Sequence, residues 1–247
     1  MQFRKIDART LHHLPPSALH PADTYFHFSF ANYYDPSRIH FGALRVLNDD
    51  TVQPRSGFDR HPHQDMEIVS YIISGHLTHW DSATGSKEVI GRGDVQAITA
   101  GTGVWHSEHN RHDDPCHLLQ IWILPPAREL PVSYASHHFE PEQRHNQLLQ
   151  VVTNRSNPDR APLQLQQDVN IYVAEITAID ARLTFRVEAG RQAYLANTEG
   201  QLGITGVGIL KARDAVEIVG PAELEFTLAG AHCHFLLLEM ANPSLAN

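Results

Sequence analysis

Cysteine and long apolar runs are both scarce in this sequence. Cys116 and Cys233 are the only cysteines among 247 residues, which excludes the disulfide framework that stabilises small secreted domains. No window approaches the roughly eighteen apolar residues of a transmembrane helix, and no apolar stretch follows the charged start, as a signal peptide would require. We therefore expect a cytoplasmic protein without a membrane span, in which both cysteines are buried thiols.

Positive charge is also in short supply. The chain has 19 Lys and Arg residues against 28 Asp and Glu, which gives a formal net charge of −9 with the histidines neutral. Such a protein lacks the basic surface that binds phosphate backbones, so direct nucleic-acid binding is disfavoured. The hydrophobic fraction of 42% and the length suit two globular domains of ordinary size.

Helical periodicity is weak in this sequence. No segment before residue 125 shows a helical pattern as strong as the strand pattern. Short segments rich in β-branched and aromatic residues alternate with period two and are separated by glycines. They recur in both halves of the chain, at 44–47, 67–73, 95–98 and 118–124, and then at 163–166, 171–176, 183–187, 193–195, 216–219 and 224–228. The pattern predicts an all-β fold built from jelly rolls or small barrels.

Two adjacent prolines, Pro125 and Pro126, end the first strand-rich half. The second half repeats a short signature of the first, because Cys116-His-Leu-Leu119 and Cys233-His-Phe-Leu236 each lead into an apolar strand. We therefore predict two tandem β-barrel domains, covering residues 1–126 and 148–247, with a polar connector at 127–147.

Histidine is abundant, with 18 residues, and two short patterns carry the functional signal. His61-Pro-His63 and His106-Ser-Glu108 each place two metal-ligand side chains at positions i and i+2, which lie on one face of a strand. Together they would place three imidazoles and one carboxylate around a point, a ligand set for a transition metal with open coordination positions. Glu67 follows His63 by four residues, an even number, and would therefore face the same side of a strand as His63. The spacing thus leaves both Glu67 and Glu108 open as the carboxylate ligand.

Longer motifs around these residues resemble known proteins. Gly57–Glu67 is similar to the first cupin motif, and Gly93–His106 is similar to the second. The stretches His27–Pro36, Phe41–Asp50 and Ala100–His109 resemble the pirin family of bicupins, and in particular the bacterial pirins with quercetin 2,3-dioxygenase activity. The resemblance is strong over about residues 20–125. Elsewhere it rests only on the chain length and on the similar pattern of short strands.

The resemblance implies two tandem cupin domains and a metal in the N-terminal one. Its ligands would be His61, His63, His106 and Glu108, and Glu67 would then orient an imidazole or pack beside the site. The second domain would be metal-free, so that its own His232-Cys-His234 pattern is structural. One divalent transition metal per chain is expected. The resemblance favours Fe(II), whereas the donor set suits Ni, Cu, Mn, Co or Zn equally well.

The same resemblance implies a metal-dependent dioxygenase that opens the heterocyclic ring of flavonols such as quercetin and releases carbon monoxide. Glu108 would be the general base that takes the proton of the 3-hydroxyl group, and the partners would be a flavonol-like small molecule and dioxygen. Two alternatives stay open. One is a non-enzymatic pirin-like metalloprotein that acts as a regulatory or redox-sensing binding partner. The other is a cupin that acts on another enolisable metabolite, such as a sugar or a catechol.

Overall fold

The computed structural model describes residues 2–243, and strands make up almost all of its regular structure. Within that range the helical elements are three short 3₁₀ helices, at Ala8–Thr10, Pro141–Gln143 and Pro158–Arg160. The strands are β1 (Phe3–Ile6), β2 (His12–Leu14), β3 (Ala22–Phe26), β4 (Leu44–Val52), β5 (Ser56–His63), β6 (Glu67–Ser74), β7 (His76–Asp81), β8 (Lys87–Gly91), β9 (Val95–Thr99), β10 (Val104–Asn110), β11 (Cys116–Ile123), β12 (Ser133–His137), β13 (Leu149–Asn154), β14 (Leu163–Leu165), β15 (Val169–Ile176), β16 (Arg182–Val187), β17 (Arg191–Ile204), β18 (Gly208–Lys211), β19 (Ala215–Val219) and β20 (Ala222–Ala241). The prediction of an all-β fold is confirmed.

The chain divides into two compact units. The N-terminal unit holds residues 11–139 and 163–167, and the C-terminal unit holds residues 2–10, 140–162 and 168–243. The first strand therefore belongs with the second half of the sequence, because β1 pairs antiparallel with β19. The boundaries 1–126, 127–147 and 148–247 concern domains that fold independently, which contacts alone do not test, and they stay a prediction.

Two antiparallel sheets build the N-terminal unit. One has seven strands in the order β12-β9-β6-β11-β4-β3-β2, and the other has four in the order β5-β10-β7-β8. A turn that begins at Asp81 joins β7 to β8. Its geometry is fixed by the Asp81 carboxylate, which accepts hydrogen bonds from the backbone N–H groups of Ala83 and Thr84.

Apolar clusters hold these two sheets together. One cluster joins Leu77 and Ile90 of the four-stranded sheet to Val52, Ile72 and Leu118 of the seven-stranded sheet. A second cluster is formed by Ile68, Ile98, Ala100 and Val104. Because full burial of one such aliphatic side chain is worth about 1.5–3 kcal/mol, these clusters fix which faces of the two sheets meet.

The C-terminal unit is a single antiparallel sheet in the order β1-β19-β17-β20-β15-β13, with β16 paired to β20 and β18 paired to β17. Its two long strands, β17 and β20, take part in most of the strand pairs. β20 pairs with β17 along one edge and, along the other edge, with β16 over residues 222–227 and with β15 over residues 233–240, so it has three partners. Aliphatic side chains of β15–β20 form its buried core.

Both cysteines are free and buried, as the composition predicts. Burial raises the pKa of the Cys116 thiol to about 12 and that of Cys233 to about 11. These thiols are therefore protonated at neutral pH and poor nucleophiles. Among residues 2–243, no helix is long and apolar enough to cross a membrane.

Candidate metal centre

The two histidine patterns of the sequence lie on neighbouring strands of one sheet. β5 and β10 pair antiparallel, with His106 directly opposite His61 and Val104 opposite His63, and the register shifts between His106 and Glu108. The strands approach closely at Gly57, where a Cβ atom would lie 2.4 Å from the Glu108 carbonyl oxygen. Glycine is required there, because any side chain would push the two strands apart.

The structure brings the three predicted histidines together. One side-chain nitrogen from each of His61, His63 and His106 lies within 4.8 Å of the others. The imidazole centroids are 4.5–4.9 Å apart. The sequence prediction of a three-imidazole cluster is therefore consistent with the geometry, and its role as a ligand set stays a prediction.

The orientation of two of these rings fits a metal. His61 Nδ1 lies 2.8 Å from the Asp59 carbonyl oxygen, which can only accept, so Nδ1 carries the proton and the lone pair is on Nε2. That Nε2 faces His106 Nε2 at 3.0 Å. Two nitrogens bound at about 2.1 Å to one metal, at right angles, would be about 3.0 Å apart. A cation between them would use both lone pairs, whereas without one His106 would have to donate to His61.

Burial keeps these imidazoles in the form that binds metals. Desolvation, followed by the neighbouring histidines, lowers the pKa of both His63 and His106 to about 3. Both rings are therefore neutral at physiological pH, which is the protonation state of a metal ligand.

Glu108 is buried beside the cluster and is held by three neutral donors. Gln96 donates from Nε2 to Oε1 at 2.6 Å, Gln120 donates from Nε2 to Oε2 at 2.8 Å, and Ser70 donates to Oε1 at 3.2 Å. Its carboxylate lies within 4.8 Å of a nitrogen of His106 and of His79, but the group that contains His61 and His63 does not include it. Glu108 as the fourth ligand stays a prediction, and its position next to His106 supports it.

These donors form part of a polar row across the seven-stranded sheet. Asn48 of β4 pairs with Gln120 of β11, which pairs with Ser70 of β6, which pairs with Gln96 of β9. The row is hereafter called the polar row. Two residues along each strand, the neighbours on one side are apolar, namely Val46, Trp122, Ile68 and Ile98, whereas those on the other side include Asp50 beside Leu118 and Ile72. The Glu108 site therefore lies on a polar layer with an apolar layer on one side.

Glu67 lies in a different environment. Its carboxylate accepts hydrogen bonds from Thr99 Oγ1 at 3.1 Å and from the backbone N–H groups of Gln166 and Gln167 at 2.7 and 2.8 Å. The parity argument assumed one strand from His63 to Glu67, but β5 ends at His63 and β6 begins at Glu67. These contacts make Glu67 a tie between β6 and the 163–167 segment, and they favour Glu108 as the carboxylate of the metal centre.

One histidine near the centre was missed by the sequence analysis. His79 lies opposite Glu108 in the pairing of β7 with β10, is 1% exposed and stacks on Tyr134 at 4.6 Å. The polar row was missed as well. A signal existed for its members, because Ser70, Gln96 and Gln120 are single polar residues inside otherwise apolar strands, where an uncompensated polar group is costly.

The other histidines that follow the motif have separate partners. His109 pairs with Asp59 at 3.3 Å, and His117 pairs with Asp49 at 2.9 Å. The His112 ring packs against that of His76 in a tilted arrangement, with the centroids 4.7 Å apart. In the C-terminal unit, His234 is fully buried with Nδ1 3.3 Å from a Glu199 oxygen, while His232 is exposed.

A cavity of about 1020 Å³ opens onto the centre. His61, His63, His106 and Glu108 line it together with Asn48, Asp50 and Gln120 of the polar side, and Phe30, Phe58 and Trp122 supply aromatic walls. Trp122 packs against His63 at a centroid distance of 4.8 Å, so one aromatic wall begins directly at the histidine cluster. Such a combination of apolar walls and a few convergent polar groups is typical of a small-molecule site.

Comparison with known proteins agrees with this geometry. A family model described as Pirin matches residues 8–123, and a model described as Quercetinase C-terminal cupin domain matches residues 151–240. Quercetin 2,3-dioxygenase of Escherichia coli K12 is 37% identical over 188 residues, which are 75% of this chain and 78% of that protein. The pirin-like protein of Caulobacter vibrioides is 36% identical over 201 residues, which are 81% and 85% of the two chains.

A solved structure is similar over nearly the whole length. The bacterial pirin YhhW of Escherichia coli, crystallised in complex with nickel(II), superposes with a TM-score of 0.86 at 30% identity and covers 97% of this chain and 99% of that one.

Proposed function

The chain belongs to the pirin family of proteins with two cupin domains, and from this premise we propose that it is a metal-dependent flavonol dioxygenase. The reaction opens the heterocyclic ring of flavonols such as quercetin and releases carbon monoxide. One divalent transition metal per chain, with Fe(II) as the first candidate, would be held by His61, His63, His106 and Glu108. Dioxygen is the oxidant, and the carbon that bears the 3-hydroxyl group leaves as carbon monoxide.

One observation carries the proposal. The imidazoles of His61, His63 and His106 meet at the wall of a cavity of about 1020 Å³, the Glu108 carboxylate lies beside His106 in the same wall, and the other walls include aromatic side chains. A metal held there would be reachable by a planar aromatic ligand, whereas a structural metal site is closed by its protein ligands. The name of the Escherichia coli relative, quercetin 2,3-dioxygenase, supports the same substrate class.

The residues of the chain have distinct roles in this proposal. When bound, a divalent transition metal would supply a Lewis acid for the substrate oxygen and a redox centre for dioxygen. Glu108 takes the proton from the 3-hydroxyl group of the flavonol. Gln96 and Gln120 hold the Glu108 carboxylate in one orientation through the two shortest of its hydrogen bonds. Phe30 and Trp122 pack edge to face at 5.2 Å and limit the access of water to this side of the cavity.

The surroundings of Glu108 suit both of its proposed roles, as a metal ligand and as the general base. Among residues 2–243, no lysine or arginine forms an ion pair with it, and its hydrogen-bond donors are amides and a hydroxyl group. Its negative charge is therefore left for a cation or for a proton. The surrounding neutral donors stabilise that charge without neutralising it.

The test is turnover by purified protein loaded with each candidate metal in turn. We expect loss of the flavonol absorption and release of carbon monoxide in proportion to bound metal. The matched control is His106→Ala under the same loading, which should show neither. If the loaded wild-type protein consumes no flavonol and releases no carbon monoxide with any of the metals, the proposal is wrong. We place the reaction in the cytoplasm, since the two cysteines are free thiols.

A further inference from the structure

We propose that Leu19 is a substrate-covering residue of this cavity. The turn at residues 17–20, hereafter called the flap, moves over the cavity mouth when a ligand enters, and the Leu19 side chain contacts an aromatic ring of that ligand. The inference rests on the proposed function for its ligand class, a planar aromatic molecule. It adds a contact to the ring itself, which the metal centre and Glu108 do not supply.

The exposure of Leu19 at the cavity mouth is the first observation. Leu19 is 98% exposed and lines the cavity, whose walls also include Phe30, Phe58 and Trp122. Single exposed apolar residues are common on protein surfaces, so exposure alone indicates no function. Among residues 2–243, however, none of the other exposed large apolar residues lines this cavity. Leu19 is therefore placed where an aromatic ligand can bury it.

The flap is held together by its own hydrogen bonds. The backbone N–H groups of Ser17 and His20 each donate to the carbonyl oxygen of the other, at 2.7 and 3.2 Å, and Ser17 Oγ accepts from the N–H groups of Leu19 and His20. Among residues 2–243, no hydrogen bond of Ser17, Ala18 or Leu19 leaves the flap. The flap can therefore tilt as one unit about its His20 end without breaking a hydrogen bond.

The C-terminal end of the flap is fixed to the cavity wall. His20 Nε2 lies 2.8 Å from Thr24 Oγ1 of β3, and the His20 ring packs against Phe58 with the centroids 5.7 Å apart. Phe58 is one of the aromatic residues that line the cavity. This anchor keeps Leu19, the preceding residue in the chain, next to the aromatic walls.

The size of the cavity gives the flap a purpose. Its volume of about 1020 Å³ lies at the upper end of the ~300–1,000 Å³ that is usual for ligand pockets. A flavonol at the metal centre would leave part of such a cavity open to water. A leucine side chain on the outer ring removes apolar surface of both partners from water, which stabilises the complex. The closed flap also limits the access of water to the reacting ring.

The test measures binding by the metal-loaded protein under argon, where turnover cannot occur. The probes are quercetin and the corresponding flavone without the 3-hydroxyl group, and calorimetry gives both dissociation constants. Leu19→Ser should bind each probe roughly tenfold more weakly than the wild-type protein does, because an apolar contact with the ring is lost. The factor should be the same for both probes, since Leu19 contacts the ring and not the hydroxyl group.

Two further variants and one further measurement complete the design. Leu19→Met keeps a large apolar side chain and should bind both probes as the wild-type protein does. Ile179→Ser is the matched control, because Ile179 is 72% exposed but does not line the cavity, and it should also keep the wild-type affinities. Hydrogen exchange, read from peptides that contain residues 17–20, reports the closure. Quercetin should slow this exchange in the wild-type protein and less so in Leu19→Ser.

Each outcome decides the inference. If Leu19→Ser binds both probes as tightly as the wild-type protein, or if Ile179→Ser loses as much affinity, Leu19 does not cover the ligand, although flavonol turnover would still support the proposed function. If quercetin leaves the exchange of residues 17–20 unchanged, the flap does not close and the inference is wrong. Affinity losses specific to Leu19→Ser, without turnover by the wild-type protein, would support the covering role and contradict the proposed reaction. If the wild-type protein binds neither probe and consumes no flavonol, both proposals are wrong.

Discussion

The carboxylates of Glu175 and Glu239 in the C-terminal unit are paired with arginine, whereas those of Glu108 and Asp50 in the N-terminal unit are held by neutral hydrogen-bond donors. The fully buried Arg144 donates to Glu175 at 2.8 Å, and Arg191 donates from Nη2 to Glu239 at 2.9 Å. Glu108, in contrast, is held by two glutamine amides and a serine hydroxyl group. Asp50 accepts its hydrogen bond from Thr24.

The difference separates carboxylates whose charge is balanced by a neighbouring arginine from a carboxylate that has no such partner. Burying a carboxylate costs free energy unless it is paired, and arginine supplies that pairing to Glu175 and Glu239. In the N-terminal unit Glu108 has only neutral hydrogen-bond donors and lies beside the cluster in which burial lowers the pKa of His63 and His106. A divalent metal is a cation that fits both the carboxylate and the imidazoles, so we expect metal binding in the N-terminal unit and none in the C-terminal unit.

The largest expected effect comes from removing a central histidine. His106→Ala should bind little metal after loading and should show no flavonol turnover above background, because loss of a ligand exceeds the ~10–100-fold penalty known for groups that only orient a ligand. Elemental analysis and carbon monoxide release measure the two effects.

His234→Ala in the C-terminal unit is the matched control. It removes an equally buried histidine and should leave the metal content at the wild-type value. Equal metal loss in both variants would contradict the proposal that only the N-terminal unit binds the metal.

The next largest effect concerns the two buried glutamates of the N-terminal unit. At saturating metal, Glu108→Gln should lower kcat by roughly 10²–10⁴-fold, since it removes a general base. Glu67→Gln should change kcat little but lower the free energy of unfolding by about 1.5–3 kcal/mol, because it weakens the hydrogen bonds that the backbone N–H groups of Gln166 and Gln167 donate to the carboxylate. The reverse pattern would assign the catalytic carboxylate to Glu67.

Asp50 gives the N-terminal unit a pH-dependent stability. Desolvation outweighs the hydrogen bond from Thr24 and raises the pKa of Asp50 to about 7. Below about pH 4 the carboxyl group is protonated in both the folded and the unfolded chain, so it does not affect stability. As the pH rises to about 7, the unfolded chain loses the proton first, and the folded state is destabilised by ~4 kcal/mol for a shift of about three units.

Asp50→Asn should remove this dependence. The difference in Tm between the variant and the wild-type protein should therefore grow in favour of the variant between pH 4 and pH 7. Glu239→Gln is the comparison from the C-terminal unit, and it should destabilise the protein at neutral pH by leaving Arg191 with a weaker partner. A constant Tm difference for Asp50→Asn across this range would contradict the shifted pKa.

The smallest expected effect belongs to the polar row. Gln96→Leu removes the 2.6 Å donor to Glu108 and should lower kcat by about 10–100-fold, with the metal still bound, because the carboxylate is no longer oriented. Gln192→Leu, a buried glutamine of the C-terminal unit, should leave kcat unchanged. A loss of stability in Gln96→Leu without any loss of kcat would show that the row is only structural.

Much of the fold and of the candidate metal centre was predictable from local sequence patterns. The alternation of side chains located most strands, and the i, i+2 spacing chose His61, His63 and His106, because both features depend only on the geometry of a single strand. The glycine-rich motifs pointed to the pirin family. The parity argument for Glu67 failed because the chain leaves β5 and starts β6 between His63 and Glu67, and parity has meaning only within one strand.

The sequence alone determined the strand class, the family and the residue types of the ligand set, since each is written in short stretches of adjacent residues. Only the tertiary structure decided that His61 lies opposite His106, that Gln96, Gln120 and Ser70 converge on Glu108, and that His79 joins them. Such contacts depend on the register between strands tens of residues apart. That register is fixed by the packing of the whole apolar core, and no local pattern encodes it.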